Sequence, residues 1–358
     1  MSISDQIKRE AIALGFDAVG IARMAEGSQP SAVSSQPSAP STQYLALSTS
    51  LETPSHPVPR TPLPQLLHSR LADWLERGYQ ATMAWLERNP ARRTDPSRVL
   101  PGCRSIICVG ANYFTGHYPD ETPEHGRIAR YAWGQDYHDV LMPKLEALAA
   151  RIRALAPTSQ TRCYVDTGPV MEKAWAQEAG LGWIGKHSNL VSGRFGSWLL
   201  LGEVLTTLDL DPDEPGQDLC GSCTLCIKAC PTGAIADPYV VDASRCISYL
   251  TIERRQPGQD IDPALRPRMG NRIFGCDDCL DVCPYNAQAP ATQTPAFQPS
   301  RLALAPKLAT LAHLSPTEFD DAFRGSPIRR ARHGGFTRNV RIAQANESAT
   351  PGRVELTG

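Results

Sequence analysis

The chain has 358 residues, of which 41% are hydrophobic, and a formal net charge of −1 at pH 7. This length indicates two or three domains with real cores. The near-zero charge excludes a global field that attracts polyanions, so any nucleic-acid site has to be a local patch. No apolar run is long enough to span a membrane and the N-terminal segment lacks signal-peptide features, which predicts a cytoplasmic protein without membrane contact.

Helical and strand-like patterns alternate through the first 212 residues. An amphipathic N-terminal helix precedes a strand, DAVGIAR. Residues 25–64 are rich in Ser, Pro, Thr and Gln and nearly uncharged, which predicts a flexible insertion. Helices PQLLHSRLADWLERG and DVLMPKLEALAARIRAL then alternate with strands RSIICVGANYF, TRCYVDT and GSWLLLGEVLTTLDL. This order predicts an α+β or α/β domain.

A glycine-rich stretch, EAGLGWIGKHSNL at residues 178–190, follows the predicted helix PVMEKAWAQEAG, which has proline in its first turn. It contains a GxGxxG and most of a P-loop, but a dinucleotide-binding loop follows a strand, and a P-loop needs Ser or Thr where His187 stands. A helix C-cap and turn explain Gly180 and Gly182. They leave Lys186 and His187 unexplained.

Eight of the eleven cysteines form two complete ligand sets for iron–sulfur clusters. CGSCTLCIKACP has the bacterial ferredoxin spacing, and CDDCLDVCP lacks only its leading cysteine, which Cys246 can supply. The ferredoxin crossover predicts one 4Fe-4S cluster on Cys220, Cys223, Cys226 and Cys283, and a second on Cys230, Cys246, Cys276 and Cys279. Structural zinc is the disfavoured alternative, because zinc sites use paired C-x2-C knuckles. The other three, Cys103, Cys108 and Cys163, are typical of small buried hydrophobic residues.

The domains predicted from these patterns are residues 1–212, the cysteine-rich residues 213–290, and a helical, basic region at 291–358. Two clusters relay single electrons, so the larger N-terminal domain should hold a redox centre. Between Arg324 and Arg341 there are six arginines, one histidine and no acid. Such a patch can neutralise nucleic-acid phosphates, whereas a merely solvated helix face usually carries both signs.

Several long motifs together resemble the epoxyqueuosine reductase family: VDTGPVMEKAWAQEAGLGWIGKHSNL, the CGSCTLCIKACPTGAI run, RCISYLTIE, MGNRIFGCDDCLDVCPYN, RYAWGQDYH and GSPIRRARHGGFTRNVRIA. The resemblance implies an α+β protein with a nitroreductase-like, cobalamin-binding α/β domain, a ferredoxin-like double-cluster domain and a short HEAT-like helical part. It implies an oxidoreductase that converts epoxyqueuosine to queuosine at the wobble position of tRNAs for Asp, Asn, His and Tyr. An external donor such as flavodoxin or ferredoxin, and a monomeric state, are further expectations.

The same resemblance places a proton donor at Asp166 of VDTGP, which would need a raised pKa to act as an acid. The alternative is that Asp166 only caps the helix expected to begin near Pro169. Asp136-Tyr137-His138 begins the D-x-H-x-x-G motif of cobalamin-ligating histidines, but Leu141 replaces the glycine. We therefore expect base-off cobalamin without a protein histidine on cobalt, and a helix that begins at these residues.

The resemblance alone also implies which residues contact cobalamin and tRNA. The implied cobalamin-binding residues are Arg93, Ala129, Asp166, Leu190, Leu201, Ile247, Gly275 and Cys276. A surface ion pair is nearly as good an explanation of Arg93 as a cobalamin contact. Arg254, beside Arg255, is the implied tRNA contact. Competing hypotheses are a reductive dehalogenase-like enzyme with the same cofactors, a ferredoxin-type electron carrier, and a flavin oxidoreductase.

Overall fold

The structure, a computed structural model, describes residues 2–24, 61–120, 122–256 and 258–349. Most of the predicted insertion at 25–64 lies outside these ranges. Its last residues are described, and a helix begins there at Leu63.

The first part of the chain builds one sheet with helices on both faces. Its elements are α1 (Ile3–Ala13), β1 (Ala18–Arg23), α2 (Leu63–Glu76), α3 (Pro90–Thr94), β2 (Ser105–Asn112), β3 (Arg127–Ile128), α4 (Tyr137–Leu155), β4 (Thr161–Tyr164), α5 (Glu172–Glu178), β5 (Trp183–Ile184), β6 (Leu190–Val191) and β7 (Leu199–Thr206).

The strands of the main sheet lie in the order β1-β2-β7-β4, and every neighbouring pair is antiparallel. The predicted α+β class is therefore confirmed, but the α/β description of the N-terminal part is wrong, because that class has parallel strands. One face of the sheet packs against α1 and α4, and the other packs against α5. All eight residues of β2 are buried, as expected of a central strand covered on both sides.

The remaining elements are short except for the last helix. They are α6 (Leu225–Ala229), β8 (Ile235–Asp237), β9 (Val240–Val241), α7 (Ile247–Ile252), β10 (Arg272–Phe274), α8 (Asp278–Asp281), α9 (Arg301–Leu304), α10 (Leu308–Leu311), α11 (Pro316–Ala322) and α12 (Arg332–Ala349).

The C-terminal helices share a core with earlier parts of the chain. Phe319, Phe323 and Phe336 pack with Trp133 and Phe274 in one apolar cluster. β10 pairs in parallel with β3, which joins the cysteine-rich region to the N-terminal part. None of the described helices is long and apolar enough to cross a bilayer.

Tertiary hydrogen bonds fix α12 in place. The fully buried Asn339 side chain donates to the backbone oxygens of Thr251 (2.8 Å) and Ile273 (2.9 Å). These bonds satisfy two carbonyls that burial would otherwise leave without a donor. They hold α12 against α7 and β10, the elements that flank Cys246 and Cys276.

Candidate active site

Asp166 lies two residues beyond β4, on a loop above the edge of the sheet. Its φ of 56° is left-handed, a conformation that a non-glycine residue keeps only when its surroundings hold it. Its backbone N–H donates to Glu172 Oε1 at 2.5 Å. α5 begins only at Glu172 and has no side-chain cap, so the alternative that Asp166 caps this helix is wrong, as is the expected start near Pro169.

Two residues at the start of α4 contact the Asp166 carboxylate. The Tyr137 hydroxyl donates to Oδ2 at 3.0 Å, and His138 Nε2 lies 3.7 Å from the same oxygen. Asp136 caps α4 by accepting the His138 N–H, and its Oδ1 lies 2.7 Å from His138 Nδ1. The expectation that α4 begins at Tyr137 and His138 is confirmed.

The proton of this group lies on the imidazole. The hydrogen bond to Asp136 and the nearby Asp166 carboxylate raise the pKa of His138 to about 9, against the effect of partial burial. Pairing with His138, helped by Tyr137, keeps the pKa of Asp166 below its ordinary value although burial acts the other way. This direction is opposite to the raised pKa that a carboxyl acting alone as an acid near neutral pH would need. At neutral pH the arrangement is an imidazolium beside a carboxylate.

Lys173 connects this group to the cysteines. Its Nζ donates to Ser188 O at 3.0 Å and to Asn189 Oδ1 at 2.7 Å. Burial lowers the pKa of Lys173, and the surrounding acidic groups raise it; these are Asp166, Glu172, Cys279 and Cys246. The carboxylates of the loop and two cysteines therefore lie within electrostatic reach of one ammonium.

The cysteines form two groups, each built from distant parts of the chain. Burial raises the pKa of Cys283, and Cys220 and Cys223 raise it further; the same two thiols act on Cys226. In the second group, burial raises the pKa of Cys279, and the thiols that add to it are Cys276, Cys246 and Cys230. α6 and α8 pack against each other and bring the two motifs together.

Neither group has the geometry of a site for a single ion. Among the described residues, no three His, Cys, Asp or Glu side chains converge on one ion position. A zinc ion would need its thiolates about 2.3 Å away. A four-iron cluster spaces them more widely, because each thiolate binds a different iron. The residues present therefore fit clusters better than zinc.

The glycine-rich stretch packs against the first cysteine group. A Cβ at Gly182 would lie 2.0 Å from Val191 O, so only glycine fits this approach. Lys186 Nζ donates to Gly221 O (2.6 Å) and Cys223 O (2.9 Å), the backbone of the first cysteine loop. Nucleotide-binding motifs did not explain Lys186. The structure shows that it holds the first cysteine loop against the sheet domain.

Apart from Asp166 and Cys276, which are described above, the implied cobalamin-binding residues fall into two groups and one outlier, Arg93. Leu190 and Leu201 belong to the apolar cluster under α5. Gly275 lies against Ala129 and donates its N–H to Thr251 Oγ1 (2.9 Å), which in turn donates to Ile247 O (2.7 Å). Arg93 has no contact with either group; it donates to Trp85 O at 3.1 Å, and no described residue is a partner of its buried Nε.

The basic C-terminal region is only partly available to a ligand. Four of its six arginines have protein partners: Arg324 pairs with Asp321, Arg329 with Asp320 and Arg330 with Glu253, while Arg338 donates to backbone oxygens of residues 250, 254 and 259. Among the described residues, no carboxylate lies within 4 Å of the Arg332 or Arg341 guanidinium, and both residues are exposed. A groove of about 470 Å³ opens beside α12, with Arg338, Arg341 and His333 in its wall. Arg254 is half-buried and donates to Asp260 O at 2.6 Å.

Comparisons with known proteins agree with this arrangement. A family model described as "Epoxyqueuosine reductase QueG, DUF1730" matches residues 93–167, and one described as "4Fe-4S double cluster binding domain" matches residues 219–286. An epoxyqueuosine reductase of Synechococcus sp. is 37% identical over 97% of this chain and 96% of its own length. The chain belongs to the epoxyqueuosine reductase family.

Other members of the epoxyqueuosine reductase family are also similar to this chain. The Synechocystis sp. protein is 46% identical over 77% of this chain and 94% of its own. A crystal structure of an epoxyqueuosine reductase with an epoxyqueuosine-modified tRNA-Tyr stem loop has a TM-score of 0.79 at 28% identity, covering 97% of this chain and 82% of that one. The predicted family and its oxidoreductase class are confirmed, and the electron-carrier hypothesis is wrong.

The sequence analysis of this reductase missed three residues of the site, which are Lys173, Glu172 and Glu203. Glu172 holds the Asp166 backbone, and Glu203 lies buried beside it on β7. A signal was available for Glu203, because an acid within the apolar strand LLLGEVLT is rare unless it is paired. Its partner on α5 could not be identified without the fold.

Proposed function

We propose that this chain reduces epoxyqueuosine to queuosine at the wobble position of tRNA, with electrons from two 4Fe-4S clusters passed to cobalamin. The observation that carries the proposal concerns Lys173. This side chain lies within electrostatic range of the carboxyls of Asp166 and Glu172 and also of two thiols of the second cysteine group, Cys246 and Cys279. A proton-donating site and an electron-relay site are thereby adjacent. Loss of the epoxide oxygen as water consumes two electrons and two protons, so both are needed.

In this proposal the first cluster is held by Cys220, Cys223, Cys226 and Cys283, and the second by Cys230, Cys246, Cys276 and Cys279. Electrons enter from an external donor such as flavodoxin or ferredoxin. Exposed apolar side chains of Leu219 and Leu225 flank the first group, which makes it the accessible end of the relay. The second group lies toward Asp166 and is the inner end.

Cobalamin would supply the reducing electrons at the substrate. Leu201 is only partly buried and would offer apolar surface, whereas Leu190, Ala129 and Ile247 are buried and would contact the cofactor through backbone atoms. The Arg93 Nε has no partner among the described residues and would donate to a polar corrin substituent. His138 is engaged by Asp136 on one nitrogen and faces Asp166 with the other, which supports binding without a histidine ligand. These roles, and the nitroreductase-like and HEAT-like descriptions, belong to the proposal.

The chain supplies the protons through His138 and Asp166. The imidazolium keeps a proton beside the carboxylate, and the Tyr137 hydroxyl fixes the orientation of Asp166 Oδ2. A proton can therefore pass from His138 through Asp166 to the leaving oxygen. General acids of this kind contribute about 10²–10⁴-fold to rates.

This assignment predicts an alkaline limit to activity. The rate should fall as the pH rises through about 9, because His138 then loses the proton that it donates. Asp136→Asn should move that fall to lower pH, since asparagine still caps α4 but no longer stabilises the imidazolium. Single-turnover rates across pH test this. An unshifted profile in Asp136→Asn would remove His138 from the role.

Binding of tRNA is assigned to the groove beside α12, to the exposed Arg332 and Arg341, and to Arg254. Replacing both Arg332 and Arg341 by alanine should weaken tRNA binding and reduce the slope of log K against log [salt] by about 0.7–0.9 for each lost phosphate contact. Arg9→Ala on α1 is the matched control and should leave the slope unchanged. Binding that is insensitive to salt would contradict the assignment.

The proposed activity is tested in cells by deleting the gene and analysing tRNA nucleosides by mass spectrometry. We expect epoxyqueuosine to accumulate in place of queuosine, and the wild-type gene to restore queuosine. Unchanged queuosine after deletion, in a cell with no second reductase gene, would contradict the proposal.

A further inference from the structure

Glu203 is an acid in an apolar position. It lies in the middle of β7, its side chain is fully buried, and Leu201 and Leu205 beside it on the same face pack into the cluster under α5. Its Cα partners are Cys108 on β2 and Tyr164 on β4. An ionised carboxylate in such a place is strongly disfavoured unless donors surround it.

No donor surrounds it. Among the described residues, no N–H or O–H reaches either carboxyl oxygen of Glu203. Its polar neighbour is the Glu172 carboxyl at the start of α5. Two carboxyl groups can form a hydrogen bond only when one of them carries a proton. The ionisable groups facing the pair are Cys108, Tyr164, Tyr137, Asp166 and Lys173.

The two glutamates differ in surroundings. Burial, reinforced by Glu172, raises the pKa of Glu203 well above its ordinary value. Burial, reinforced by Asp166, raises that of Glu172 to about 7, while hydrogen bonds from the Asp166 N–H and from Glu203 oppose the rise. The Asp166 N–H donates to Glu172, whereas no described donor reaches Glu203, so the proton of the pair resides on Glu203 and Glu172 is its acceptor.

We propose that Glu203 is a neutral carboxylic acid that donates its O–H to Glu172, and that Glu172, so oriented, holds the Asp166 loop in its left-handed conformation. Glu203 is thus a positioning residue for the reaction, which acts through Glu172 on the backbone of Asp166. The inference rests on the proposed function for its catalytic consequence, but the protonation state of Glu203 stands independently.

The test compares Glu203→Leu with Glu203→Gln in the reconstituted protein. Leucine removes the donor, and we expect kcat to fall about 10²-fold with KM for tRNA and iron content unchanged, because the Asp166 loop is no longer held. Glutamine donates an N–H without needing a proton, and should restore most of the loss. Full activity of Glu203→Leu, or a Glu203→Gln variant as impaired as Glu203→Leu, would overturn the inference.

Infrared spectroscopy provides a readout that does not depend on turnover or on the folding of the leucine variant. The wild-type protein should show the carbonyl stretch of a protonated carboxylic acid at neutral pH, and Glu203→Gln should lack it. Identical spectra would overturn the inference. If this band is found but the wild-type protein never converts epoxyqueuosine, the proposed function fails while the protonated Glu203 remains.

Discussion

Replacing Asp166 by asparagine is expected to lower turnover about 10²–10⁴-fold while both clusters and cobalamin still bind. Asparagine has nearly the same shape, and the backbone N–H that donates to Glu172 is kept. It lacks the negative charge that pairs with His138 and cannot pass on a proton. Single-turnover conversion of epoxyqueuosine-containing tRNA measures the loss of turnover, and the iron and corrinoid content shows whether the clusters and cobalamin are still bound.

The matched control for this variant is Asp139→Asn, an exposed acid one residue beyond His138 on α4. It should retain normal turnover. Near-normal turnover of Asp166→Asn would exclude Asp166 from proton transfer, and loss of cobalamin from that variant would assign it a binding role instead.

Replacing Cys283 by serine is expected to abolish turnover with external donors by removing the first cluster. Its thiol lies with Cys220 and Cys223 although more than 50 residues separate them, so the loss should take about half of the iron. The second cluster should remain detectable by electron paramagnetic resonance. Cys163→Ser is the control, because this thiol packs beside α4 and donates to Leu145 O.

The pairing of motifs is tested by the same experiment with Cys279→Ser. That variant should lose the second cluster and keep the first. If Cys283→Ser instead removed the cluster bound by Cys276 and Cys279, each motif would serve its own cluster and the crossover would be wrong.

The sequence was most informative about the iron–sulfur sites, because the spacing of the cysteines itself determines which ligands a cluster can have. The cysteine motifs specify ligands at short, fixed intervals, and the confirmed double-cluster domain follows from them. The main strands were also predictable, since β2 and β7 are nearly continuous apolar runs. Their antiparallel pairing was not, because an apolar run does not reveal the direction of its neighbour.

The site depended on tertiary contacts that sequence patterns do not encode. His138 is 28 residues from Asp166, and only their juxtaposition reverses the expected direction of the Asp166 pKa. The number of arginines likewise overstated how much positive charge is available to a ligand, because Arg338 donates its N–H groups to backbone oxygens within the fold. A count of charged residues describes composition, whereas the availability of each arginine to a nucleic acid depends on whether the side chain already has a partner in the protein.

The central claim is tested most directly by mass analysis of nucleosides after anaerobic incubation of the purified, cluster-loaded protein with epoxyqueuosine-containing tRNA and a reductant, with and without cobalamin. The account predicts loss of one oxygen from the modified base, giving queuosine, only when cobalamin is present. Equal conversion without cobalamin, or no conversion by protein that has taken up both clusters and cobalamin, would contradict it.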